Sequence, residues 1–156
     1  LGLKHPPERT AVTEGYPPHL ALCQSRLSPL GIRVVPARDD DSLPFEDAAF
    51  DRIINRHDSF DAAEVFRCLK PGGLFITQQV GGENNRSLSQ RLIPGFVPPY
   101  PEHTLERNAE KLVNAGFQVL QAEEAFPACL LRPGHSLGVP GVLCDRNASH
   151  PGANAA

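Results

Sequence analysis

An α/β fold built on an open, mostly parallel sheet with helices on both faces is what this sequence predicts, on three observations. Strand-like and helical patterns alternate along most of the chain. A helical stripe ends at Pro71-Gly72-Gly73 and is followed at once by the apolar run from Leu74, so a helix must hand over directly to a buried strand. Acidic and amide residues gather where strands end, which is where open parallel sheets bind ligands.

The elements follow in order. "RTAVTEGY" (9–16) reads as a short strand ending in Glu14. Pro17 and Pro18 suit a first helical turn, Leu20, Cys23, Leu27 and Leu30 fall at helical spacing, and Pro29 with Gly31 stops the helix. "IRVVPA" is β-branched and strand-like, "RDDDSLPFEDAA" is polar turn material, and "FDRIIN" (50–55) is the next strand. Asp61 and Glu64 form a capping-box pattern ahead of an apolar stripe of Ala62, Val65, Phe66 and Leu69, giving a helix over 61–69. Leu74 to Val80 is the strand after it. Residues 81–103 read as a long break, because Pro94, Pro98, Pro99 and Pro101 exclude a continuous helix or a central strand. Thr104 opens a helix carrying Leu105, Ala109, Leu112 and Val113, closed by Gly116, and "FQVLQAEEAF" is the last strand expected. From Cys129 onward Pro and Gly recur without periodicity, so residues 128–156 are expected to be an irregular tail that adds no central strand.

With 156 residues the chain can bury one core. A net charge of −3 gives no basis for expecting nucleic acid or an anionic membrane as a partner, and 40% hydrophobic with 21% charged residues fits a globular chain. Cys23, Cys68, Cys129 and Cys144 are scattered, so neither a metal site nor a disulfide framework is expected, and a reducing cytoplasm is the expected compartment. An acid such as Glu14 at a strand end can accept both hydroxyls of an adenosine ribose; taken alone it favours a solvated glutamate in a turn, and it fits a nucleotide-sugar or NAD-dependent protein too.

The series "DDDSLPFEDAAFDRIIN" then "EVFRCLKPGGLFITQ" resembles the class I S-adenosylmethionine-dependent methyltransferases, over about Arg9 to Phe126. The resemblance implies an incomplete Rossmann-like methyltransferase sheet, whose full strand order is 3-2-1-4-5-7-6, and S-adenosyl-L-methionine as cofactor. By position it gives Glu14 the ribose hydroxyls, Asp39 the adenine amino group and the Asp40 backbone the flank of the ring. Ser42 and Leu43 lie close by, and Asn55 stands where the methionine part meets a small-molecule acceptor. His57 is expected to be a loop residue beside the ligand, since a base is needed only where the acceptor must lose a proton.

The glycine-rich loop that the family carries after its first strand is missing: roughly 20 residues before Glu14 lies ahead of Leu1. With no methionine anywhere, the expectation is a chain truncated at its N-terminus, lacking strand one and inactive as it stands. A non-catalytic remnant or interaction domain is the alternative from another class.

Overall fold

The computed structural model describes residues 5–37, 42–125 and 141–146. The chain divides into two compact units, Leu1–Glu46 and Asp47–Ala156.

In the first unit, β1 (Ala11–Glu14) and β2 (Arg33–Pro36) form a parallel two-stranded sheet, with Ala11 opposite Arg33 and Glu14 opposite Pro36. Helix α1 (Pro17–Leu27) joins them. Its two leading prolines supply the φ of a helical turn at positions whose N–H groups would have no intrahelical partner. Ile32 is the one buried side chain among the described residues of this unit.

The second unit holds β3 (Phe50–Arg56), α2 (Ala62–Cys68), β4 (Leu69–Gln78), α3 (Arg86–Leu92), α4 (Leu105–Asn114), β5 (Gln118–Glu123) and β6 (Gly141–Asp145). Its sheet runs β3-β4-β6-β5, with β4 parallel to β3 and β6 antiparallel to both neighbours. The core is Val65 and Leu69 behind α2, Phe75 on β4, Leu112 on α4, Phe117, and Cys144 on β6. Phe75 meets Phe60 edge-on at 5.0 Å, and Phe66 meets Phe117 the same way at 5.2 Å. No helix among the described residues is long and apolar enough to cross a membrane.

The Pro-Gly-Gly handover is tighter than the pattern suggested. Leu69 caps α2 and already pairs with Phe50, while Leu74 pairs with Arg52. Lys70–Gly73 thus bulge out of the ladder opposite a single residue, Asp51. Gly72 takes φ +76°, and a Cβ on Gly73 would stand 2.8 Å from the Lys70 carbonyl oxygen, so the bulge has no space for a side chain there. The strand expected over 74–80 therefore starts at Leu69 and ends at Gln78.

Two other expectations are corrected. The break over 81–103 contains α3, whose seven residues end before the first of the prolines. The tail from Cys129 was expected to add no central strand, yet Gly141–Asp145 forms β6 between β4 and β5. Parallel β4 and β5 each offer an open edge, and one short antiparallel strand satisfies the backbone groups of both. The rest of that tail, 128–140 and 147–156, lies outside the described residues. Matched to the order the resemblance implies, β1 and β2 supply the segment 3-2, and β3 to β6 supply 4-5-7-6. Strand one has no counterpart among the described residues.

Candidate functional site

Glu14 is the last residue of β1. Its Oε1 accepts the Tyr16 backbone N–H at 2.8 Å, and its Oε2 lies 3.8 Å from His19 Nδ1. The carboxylate is thereby held in place by the turn that starts α1, with its side chain 25% exposed and lone pairs to spare. A ligand carrying two hydroxyls fits such a group. Ser42 is exposed and Leu43 half-buried; the Leu43 carbonyl accepts from the Phe45 N–H at 2.7 Å, and the Arg33 guanidinium stands 5.2 Å from the Phe45 ring centre. Asp39 and Asp40 lie outside the described residues.

In the second unit the chemistry collects at the carboxyl ends of β3 and β4. Asn55 Oδ1 accepts from the Thr77 hydroxyl at 3.0 Å and from Gln79 Nε2 at 2.6 Å. Gln79 Nε2 also donates to the Asp58 carbonyl and to Thr77 Oγ1, both at 2.9 Å. Thr77, 1% exposed, sits at the centre of this network. Asn55 is therefore a fixed amide, oriented by Thr77 on the adjacent strand and by Gln79 just past its end, with its Nδ2 toward the Ser59 carbonyl at 3.4 Å. His57 is exposed at φ +59°, and its N–H donates to the Gln78 carbonyl at 2.8 Å. That bond extends the β3–β4 pairing by one step and turns the chain toward Asn55's partners.

Beside Gln79 a small cleft opens, lined by Thr77, Gln79, His103, Leu105, Asn108 and Glu124 among others. Helix α4 shapes one side: Thr104 caps it by accepting the Arg107 N–H, and buried Asn108 donates to the Thr104 carbonyl at 3.0 Å. Gln79 lies just past the end of β4, and the sequence pattern gave no role to it, to Thr77, to His103 or to Glu124. Polar residues directly after the apolar run of a central strand were the available signal for Thr77. His103 lay inside the supposed break and carried none. Among the described residues, no three His, Cys, Asp or Glu side chains gather to hold a metal ion.

No family model matches the chain, and no curated protein matches it. Solved structures do. A chain of the Haloferax volcanii complex between the Trm112 methyltransferase activator and a methyltransferase superposes with a TM-score of 0.64 at 18% identity, over 90% of this chain and 72% of that one. An S-adenosylmethionine-dependent methyltransferase of Methanosarcina mazei gives 0.65 at 16% identity, over 92% and 85%. The [4+2]-cyclase SpnF gives 0.54 at 21% identity, over 73% of this chain and 44% of that one. The similarity and the strand order 4-5-7-6 agree: this chain has the fold of the class I S-adenosylmethionine-dependent methyltransferases.

Proposed function

We propose that the protein is an S-adenosyl-L-methionine-binding chain of the methyltransferase type, acting on a small-molecule acceptor. The observation that carries this reading is the anchored carboxylate of Glu14 at the end of β1, the position that takes the ribose hydroxyls in this fold. The remaining roles are proposed residue by residue. Asp39 accepts from the adenine amino group, the Asp40 backbone flanks the ring with Ser42 and Leu43 close by, and the Asn55 amide faces the methionine end. Bound there, the cofactor supplies a methyl group on a sulfonium already primed to leave. The chain's own work is to hold and align the reactants and, where the acceptor must lose a proton, to receive it.

Two other readings compete. An NAD-type protein fits Glu14 equally well, but the dinucleotide order 3-2-1-4-5-6 has no strand inserted between the fifth and sixth, whereas β6 lies there antiparallel. A non-catalytic remnant or interaction domain is the other, and SpnF illustrates that this fold also carries other chemistry.

Amide NMR of the labelled chain, titrated with S-adenosylhomocysteine, tests the reading. Shifts are expected at Glu14–Tyr16, at 42–43 and at Asn55. Glu14→Gln should weaken binding by roughly 1.5–3 kcal/mol, since charge-assisted bonds to two hydroxyls are lost. Equal binding by the variant removes Glu14 from the site, and stronger shifts with NAD favour the dinucleotide reading.

A further inference from the structure

The cleft beside Gln79 carries an inference of its own. His103 Nε2 is buried and has no hydrogen-bond partner among the described residues. Buried polar atoms are nearly always satisfied, so the unpartnered Nε2 of a residue lining the cleft calls for a partner there. The ring's backbone is fixed from both sides: the His103 N–H donates to the Tyr100 carbonyl at 3.1 Å, and its carbonyl accepts the Gly82 N–H at 2.9 Å. A Cβ on Gly82 would collide with the Tyr100 carbonyl, so these backbones meet only because position 82 is glycine.

The other groups of the cleft share one chemical sense. Gln79 commits its Nε2 to Asn55, Asp58 and Thr77, leaving Oε1 as its open end. Asn108 commits its Nδ2 to the Thr104 carbonyl, leaving Oδ1. Glu124 adds a carboxylate, which lies 3.9 Å from where a Cβ on Gly81 would stand. In the tautomer that carries its proton on Nδ1, His103 offers Nε2 as an acceptor. With that tautomer the open groups are all acceptors, one of them anionic. The cavity has room for about one water-sized group. A carboxylate or phosphate would be too large and would bring acceptors against acceptors. An amino head, with two or three N–H donors on a single heavy atom, fits in both size and sense.

We propose that this cleft binds the amino head of a small-molecule amine, whose N–H groups donate to His103 Nε2 and to the open oxygens beside it. The proposal stands on the cleft alone and does not depend on the cofactor reading above.

Three probes of matched length separate the possibilities: n-propylamine, propionate and n-propanol, each titrated onto the labelled chain at neutral pH. Propylamine is expected to shift Gln79, His103, Asn108 and Glu124, while propionate leaves them unmoved. His103→Ala and Glu124→Gln should each weaken propylamine binding about tenfold. Glu124 is exposed, so its variant tests charge without disturbing packing. Equal shifts with propanol would mark a water-like hydroxyl site, and tighter binding of propionate an anion site; either overturns the proposal, as does an unchanged propylamine affinity in Glu124→Gln. S-adenosylhomocysteine in a separate titration keeps the two ideas apart. Propylamine binding without a response to it sinks the cofactor reading alone, and the reverse sinks the amine site alone.

Discussion

The two units of this chain contrast in how they are held together. The second has a four-stranded sheet whose central strands are paired on both edges, and a core of six side chains no more than 4% exposed. Among its described residues the first has a two-stranded ladder of four residues per strand, one buried side chain at 9% exposure, and a helix with none. Two-stranded sheets are marginal by themselves. The lesson is a division of labour: the second unit carries the stability, while the first carries the acid on which the cofactor reading depends. Binding elements are commonly drawn from the low-stability end of a protein in this way.

The largest effect should come from truncation in the core. Phe75 is fully buried against Phe60, with Phe117 at 6.0 Å, so Phe75→Ala is expected to cost about 3–5 kcal/mol. Val12→Ala on half-buried β1 should cost under about 1 kcal/mol. Urea unfolding followed by amide exchange reads both; comparable losses would show that the first unit is as tightly packed as the second.

An alkaline titration sharpens the same contrast. Cys144 is fully buried, and burial pushes its thiol from 9.0 up to about 11. Its folded value lies above the unfolded one, so the stabilisation is complete below about pH 9 and is lost as pH rises through 11. A rise from 9.0 to about 11 corresponds to on the order of 2–3 kcal/mol. The unfolding free energy of the wild type should fall over that window by this much more than that of Cys144→Ala, which has no thiol to titrate. Parallel pH curves for the two proteins would exclude the effect.

Helix caps give the smallest difference. Asp61 Oδ1 accepts the Glu64 N–H at 2.8 Å, whereas Tyr16 makes no side-chain cap for α1. Asp61→Ala should lower stability by about 1 kcal/mol, and Asp61→Asn should restore most of it. If Asn fails to rescue, the Asp61 contribution lies elsewhere than in the cap.

The sequence by itself determined the local grammar. Asp61 and Thr104 open helices as expected, since a cap needs only an oxygen and the N–H groups two or three residues on. The Pro-Gly-Gly stop and the parallel alternation were legible because proline geometry and hydrophobic periodicity are properties of short segments. Glu14 and Asn55 could be picked out because strand ends can be located from those same patterns.

What the tertiary structure alone decided was whatever depends on a partner far along the chain. Gly141–Asp145 is a short run between glycines, prolines and polar residues. It becomes a strand because β4 and β5 leave a slot one strand wide, a fact written in residues 69–78 and 118–123 and not in its own. Helix α3 places Leu88 and Leu92 at helical spacing, yet it buries nothing, so it has no sequence stripe marking a core. The cleft is of the same kind. Gln79, His103 and Glu124 are remote from one another in sequence, and only the packing of α4 beside the sheet's end brings their acceptors to one small space.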